Sequence, residues 1–223
     1  MSGDRLFHQP REIAELAPGA TVVPDWLDAG EQKQIVAAFG EWCRGPVPLR
    51  AATLSTGHRM SAQTVCLGWH WWPYRYSRTA DDVNGARVLG VPAWLGELAR
   101  RALADTGWPA AAVEDYRPDV ALANYYGADA RMGLHQDKEE VVNRPVVSLS
   151  VGDTARFRFG NTQNRGKPYT DVELRSGDLL VFGGPSRFAF HGVTGILPGT
   201  GPAIGLGTGR INVTLRVTGL SDR

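Results

Sequence analysis

Two cysteines are all this chain has, Cys43 and Cys66, far apart and outside any Cys-x-x-Cys pattern. That leaves no disulfide framework, and both read as small buried hydrophobes kept reduced in a cytosol. No apolar run approaches the ~20 residues a bilayer-spanning helix needs, so no membrane partner is expected. The first residues, Met1-Ser-Gly-Asp-Arg, lack a basic stretch followed by an apolar one, so no signal peptide is expected and a cytoplasmic location is the expectation. Charge of one sign is also missing. A formal net charge of +1 argues against gripping long duplex by bulk electrostatics, though a local basic groove remains open. Repeats and low-complexity blocks are absent.

What is present is an ordinary globular composition over 223 residues, 43% hydrophobic and 21% charged, enough for one domain with a large core. Residues 1–20 read as a loosely held lead-in. Asp28, with Glu31 three positions on, has the form of a capping box. It should open a helix running to about Cys43, with Ile35, Phe39 and Trp42 on one face. Pro92 to about Gly107 reads as a second helix, with Leu95, Leu98, Ala99 and Leu103 at helical spacing. It should pack on the back of a sheet. Between them lies Gly68-Trp-His-Trp-Trp-Pro-Tyr-Arg-Tyr76, five aromatic residues in eight positions with Arg75 and Arg78 close by. A core aromatic cluster would account for it. Pro73 breaks regular structure, however, and rings on a loop among basic residues form a stacking platform for bases. His8, His58 and His70 read as ordinary polar or core histidines.

From residue 111 the chain alternates short strands and turns. Strands are expected at 120–126, 146–151, 155–159, 171–174, 178–182, 188–191 and 210–218. Many short strands with regular turn signals indicate a sandwich or barrel. The segment 199–209 holds five glycines and should be a mobile or tight loop.

The stretch that carries chemistry is Ala123 to Asp137. In extended backbone, residues i and i+2 face the same side, so His135 and Asp137 would converge. An imidazole and a hard carboxylate suit iron, manganese or zinc. His-x-Asp alone is weak, since such pairs are common in polar turns. His191, at the end of an apolar segment, is a candidate third ligand or simply a histidine at a strand end. Two histidines and one carboxylate on one face of a metal are the arrangement of non-haem Fe(II) oxygenases. In Arg210-Ile-Asn-Val-Thr-Leu-Arg216, a period of two puts Arg210, Asn212, Thr214 and Arg216 on one face, with Ile211, Val213 and Leu215 on the other. That polar face is either solvated or a binding row. Guanidinium forks grip carboxylates bidentately, as a dicarboxylate cosubstrate would require.

Asn124-Tyr-Tyr126, His135-Gln-Asp-Lys138, Ser176-Gly-Asp-Leu-Leu-Val-Phe-Gly-Gly-Pro-Ser-Arg187, His191-Gly and Arg210 to Arg216 lie in an order and spacing that resembles one family. It is the AlkB family of Fe(II)- and 2-oxoglutarate-dependent nucleic-acid dealkylases, in its bacterial form, and the similarity covers most of the chain. The resemblance implies an α+β, mainly β fold. Its core would be a double-stranded β-helix, or jelly roll, over 111–223, with supporting helices and a nucleotide-recognition lid in 1–110, all within a single domain.

It further implies Fe(II) on His135, Asp137 and His191, with O2 and 2-oxoglutarate as cosubstrates. Arg210 would bind the distal carboxylate of 2-oxoglutarate. Asn124, Tyr126 and Asn212 would complete that pocket, and Arg216 would lie near the metal-bound carboxylate. Trp69 and either Tyr74 or Tyr76 would flank an extruded base. Glu139 would favour cationic lesions such as 1-methyladenine and 3-methylcytosine. Glu140 is either a second such carboxylate or part of a solvated charge run. Arg165 is either a substrate-binding arginine or an exposed loop residue. The implied partner is single-stranded DNA or RNA bearing alkylated bases, met by a monomer. A hydroxylase of the same fold acting on a protein or metabolite, and a non-catalytic nucleic-acid-binding module, are the competing readings. The aromatic lid argues against the first, and the intact ligand and arginine set against the second.

Overall fold

The computed structural model describes residues 11–220; His8 therefore lies outside the described residues. Its strands in chain order are β1 (Ala14–Ala17), β2 (Ala20–Val23), β3 (Gln63–Leu67), β4 (His70–Trp72), β5 (Arg75–Ser77), β6 (Val120–Tyr126) and β7 (Met132–His135). They continue with β8 (Val146–Gly152), β9 (Thr154–Phe159), β10 (Thr170–Leu174), β11 (Leu179–Phe182), β12 (His191–Leu197) and β13 (Arg210–Arg216). The helices are α1 (Ala29–Trp42), α2 (Ala93–Asp105) and the short α3 (Ala110–Glu114).

A seven-stranded sheet runs β1-β2-β11-β8-β13-β6-β3 and faces a four-stranded sheet β10-β9-β12-β7. Pairing within both is antiparallel. This is the expected jelly roll. Its two faces follow from the strand period. Ile211, Val213 and Leu215 of β13 pack with Val147, Leu149, Leu179 and Val181 in the main core, together with Ile35 and Phe39 of α1 and Leu95, Ala99 and Leu103 of α2. Both helices thus cover the outer face of the large sheet. The inner face meets the small sheet through Leu180, Phe182, Phe157, Phe159 and Val193.

α1 begins where the sequence places it. The Asp28 carboxylate accepts from Glu31 N at 2.8 Å, and the Glu31 side chain accepts from Asp28 N at 3.0 Å. The two bonds satisfy orphan amides of the first turn and the cap. The glycine-rich loop before β13 is tight, because the Asp153 carboxylate accepts from Gly201 N and Gly209 N at 2.9 and 2.8 Å.

Three expectations need correction. The lead-in is structured from Ala14 on: β1 and β2 form a hairpin whose second strand pairs with β11, extending the large sheet. Together with β3, residues before 110 therefore add three strands to that sheet, so the division at 110 does not follow the sheets. The strand expected at 188–191 instead starts at His191, because Gly184–Ser186 forms a one-turn 3-10 helix just upstream.

Candidate active site

Three side chains meet at one mouth of the two-sheet sandwich. His135 ends β7, Asp137 follows it, and His191 opens β12, where His191 is the register partner of His135. His135 Nε2 lies 3.5 Å from Asp137 Oδ1, and His191 Nε2 lies 3.6 Å from Oδ2. The candidate ligand atoms of all three lie within 4.8 Å of one another, the only such group among the described residues. An ion with bonds of roughly 2.0–2.2 Å holds neighbouring ligand atoms about 3 Å apart, so small side-chain shifts close this set around one metal.

Both rings are turned for the task. His135 Nδ1 bonds Gly133 O at 3.0 Å, and His191 Nδ1 bonds Ala189 O at 2.9 Å. A carbonyl can only accept, so each Nδ1 carries the proton and each Nε2 keeps its lone pair toward the shared point. Burial pushes His191 down to about 4, which keeps it neutral at physiological pH. Burial alone would raise the Asp137 carboxyl. The Arg216 guanidinium outweighs it and holds Asp137 ionised well below the usual carboxylate range. Its Oδ2 lies 2.8 Å from Arg216 Nη2 yet accepts no hydrogen bond among the described residues, leaving acceptor capacity for a cation. Gly192 lets β12 approach β7 here: a Cβ on it would come within 2.5 Å of Met132 O.

Beneath the triad runs the inner row of β13. Arg210, Asn212, Thr214 and Arg216 are all buried and line one cavity with Asn124, Tyr126 and Ser148. The alternative of a solvated strand face is excluded by that burial. Arg210 is held at one corner, Nη2 donating to Ser150 Oγ at 3.0 Å. Its Nε and Nη1 find no partner among the described residues. A buried guanidinium with two idle donors costs free energy unless a ligand supplies the acceptors, and burial lowers its pKa accordingly. Asn212 is fixed by Ser148 Oγ and Leu149 O, at 2.7 and 3.1 Å. Asn124 accepts from Thr64 Oγ1 at 2.6 Å. Tyr126 lies under Arg210, with Cζ 5.4 Å from the ring centroid, and burial pushes its hydroxyl up to about 12. The polar row thus suits a small dicarboxylate at its far end and a metal at its mouth.

Outside the triad opens a groove of about 500 Å3, within the range of small-molecule sites. Tyr74, Glu139 and Arg165 line it, as do Trp71, Met60, Lys138 and Arg131. Arg165 is anchored through Nε to Leu134 O at 2.8 Å. Burial raises the Glu139 carboxyl. β4 and β5 form a hairpin over the groove, turning at Pro73 and Tyr74. Tyr74 takes φ 76° and stands 64% exposed.

Trp69 is misassigned as a groove residue. It is buried with Val47, Cys66, Val88 and Leu122, its Nε1 donates to Asp119 at 3.2 Å, and the Arg78 guanidinium covers its ring. Trp71, two residues on, is the indole that reaches the groove. Tyr76 is also withdrawn, bonded to Glu140 at 2.6 Å. Trp71→Ala should therefore weaken oligonucleotide binding by about 1–3 kcal/mol with the melting temperature nearly unchanged. Trp69→Ala should instead lower the melting temperature, as loss of a core Trp costs about 3–5 kcal/mol. Fluorescence-anisotropy titrations and thermal melts check both; the opposite assignment of effects contradicts this geometry.

Glu140 corrects the solvated charge run. It is buried, paired with Arg187 at 2.9 Å and Arg216 at 3.1 Å. No motif marked Met132, and the aromatic run did not single out Trp71 among its five rings. Ser148 and Ser150, which fix Asn212 and Arg210, do have a signal: they alternate with Val147, Leu149 and Val151 along β8.

Two histidines and a carboxylate around one point, at the mouth of a jelly roll and beside a buried arginine, define an Fe(II)- and 2-oxoglutarate-dependent oxygenase. The family model for the 2OG-Fe(II) oxygenase superfamily matches residues 19–216. An alpha-ketoglutarate-dependent dioxygenase AlkB homolog of Caulobacter vibrioides is 38% identical over 207 residues, covering 90% of this chain and 88% of the relative. The DNA N(6)-methyladenine demethylase ALKBH1D of Arabidopsis thaliana is 32% identical over 90% of this chain, which spans 50% of that longer protein. Among solved structures, that of OsALKBH1 superposes with a TM-score of 0.81 at 31% identity, covering 92% of this chain and all of the other. The chain belongs to the AlkB family within the 2OG-Fe(II) oxygenase superfamily. No helix among the described residues is long and apolar enough to cross a membrane.

Proposed function

We propose that this protein removes alkyl groups from damaged bases, such as 1-methyladenine and 3-methylcytosine, in single-stranded DNA or RNA. The observation that carries the proposal is that two spaces meet at the triad: the Arg210 cavity and the aromatic–basic groove share Asn124, Met132, His135, Asp137 and Arg216 in their linings. His135, Asp137 and His191 would hold Fe(II). Arg210, with Asn124, Tyr126 and Asn212, would hold 2-oxoglutarate. When bound, iron with 2-oxoglutarate and O2 supplies the oxidising power, giving succinate, CO2 and a hydroxylated N-alkyl carbon. The hydroxymethylated base then releases formaldehyde and a proton, and the ring nitrogen regains its lone pair.

This chain's residues do the positioning. Trp71 and Tyr74 offer ring faces to a base that has left the stack, because its Watson–Crick edge is otherwise inaccessible. Lys138, Arg131 and Arg165 supply positive charge along the groove for the phosphate backbone. In the cavity lining, Arg210 and Arg216 outnumber the one carboxylate, Asp137, which favours a dianionic cosubstrate. Supporting the substrate class, relatives in Caulobacter and Arabidopsis carry the names AlkB homolog and DNA N(6)-methyladenine demethylase. The reading extends to a monomer in the cytoplasm, with Cys43 and Cys66 both free. Residues 111–223 would form most of the oxygenase core, and 1–110 the lid, the outer helical supports and three strands of the large sheet.

Glu139, which lines the groove, would favour a cationic base. Glu139→Gln should lower kcat/KM for 3-methylcytosine by about tenfold, the scale of one hydrogen bond to a charged group, and should affect neutral N6-methyladenine less. Equal losses on both substrates would remove Glu139 from recognition. The proposal as a whole is tested by succinate release, which a methylated oligonucleotide should stimulate far above its unmethylated twin. Equal succinate with both would point to a non-nucleic-acid substrate.

A further inference from the structure

Glu140 is the buried carboxylate for which the proposed chemistry has no use. Its side chain is wholly shielded, yet every oxygen is engaged. Oε1 accepts from the Tyr76 hydroxyl at 2.6 Å and from Arg216 Nη1 at 3.1 Å. Oε2 accepts from Arg187 Nη2 at 2.9 Å. Arg187 is fixed in turn by Asp137 O at 2.6 Å and Arg144 O at 2.7 Å. Arg216 faces the Asp137 carboxylate with Nη2 at 2.8 Å. Asp137, Arg216, Glu140 and Arg187 therefore alternate in sign along one buried row. Tyr76 joins that row from the β4–β5 hairpin.

Stability does not account for the arrangement. Buried ion pairs pay a desolvation cost that apolar residues of similar volume avoid. What the row does fix is orientation. With Glu140 occupying Nη1, Arg216 presents a single nitrogen to Asp137. Without that anchor, the guanidinium would be free to turn both forks onto Asp137, a bidentate grip that covers the oxygens a metal needs. We propose that Glu140 is a positioning residue: it holds Arg216 clear of the metal-facing side of Asp137 and, through Tyr76, ties that orientation to the hairpin over the groove. The inference rests on the metal role given above to His135, Asp137 and His191.

The test is binding of Mn(II), as a probe of the iron site, to the full chain without cosubstrate or oligonucleotide. Free Mn(II) is read by electron paramagnetic resonance for the wild type, Glu140→Gln, Tyr76→Phe and the double variant. Glu140→Gln should weaken Mn(II) binding by about tenfold or more, the usual effect of losing a partner behind a metal ligand. Tyr76→Phe should weaken it less, and should add nothing in the Glu140→Gln background, since both act through one path. A Glu140 that merely props the fold would move the melting temperature and leave Mn(II) affinity alone, which overturns the inference. A Tyr76→Phe effect of equal factor in both backgrounds overturns the link to the hairpin. If Glu140→Gln fails to fold, Tyr76→Phe decides alone, and unchanged Mn(II) affinity in it counts against the proposal. A wild type that binds no Mn(II) sinks the metal assignment as well, so the two failures are distinguishable.

Discussion

Arg210→Met is expected to raise the KM for 2-oxoglutarate by about 100-fold while leaving the melting temperature equal or higher. Arg210 is 1% exposed and has two donor nitrogens with no partner among the described residues. In the ligand-free protein that burial is a cost, and methionine of similar length would relieve it. With the dicarboxylate bound, the same change leaves a buried carboxylate without its cation. Breaking such a pair costs about 2–5 kcal/mol, and roughly 3 kcal/mol is a hundredfold in affinity. The opposite signs are informative, because a residue kept for stability would not show them. A 2-oxoglutarate titration and a thermal melt on the same preparation supply both numbers. An unchanged KM would place the cosubstrate elsewhere.

Asp137→Ala is expected to abolish turnover and Mn(II) binding while the protein stays folded. The two histidines alone leave an incomplete and uncharged ligand set. The fold survives because Arg216 retains a second carboxylate, Glu140, at 3.1 Å. Loss of stability should thus fall below the roughly 3–5 kcal/mol typical of breaking an isolated buried pair. Circular dichroism and metal titration check this. Residual turnover would show that Asp137 is not a ligand.

Most of the core was legible in the sequence because its signals are local. The Asp28–Glu31 cap and the period-two row from Arg210 to Arg216 each fit within one element. His135 and Asp137 sit two apart at a strand end. Such patterns require only backbone periodicity to interpret. The errors have a common cause in long-range pairing. β1 reads as part of a loose lead-in because the hairpin it forms with β2 is held by β11, about 160 residues away. Glu140 reads equally as a base-recognising or a solvated carboxylate because it follows Lys138 and Glu139, while its partners come from positions 76, 187 and 216. Trp69 and Trp71 are indistinguishable by composition. What separates them is that Asp119, distant in sequence, and the Arg78 guanidinium hold the first inside.

The most direct measurement is the intact mass of a single-stranded oligonucleotide carrying one 3-methylcytosine, incubated with the protein, Fe(II), 2-oxoglutarate and air. The account predicts a product lighter by one methylene, with formaldehyde and succinate in equal amounts, and no change when any cosubstrate is withheld. An unaltered mass from a protein that demonstrably binds metal and 2-oxoglutarate would contradict it.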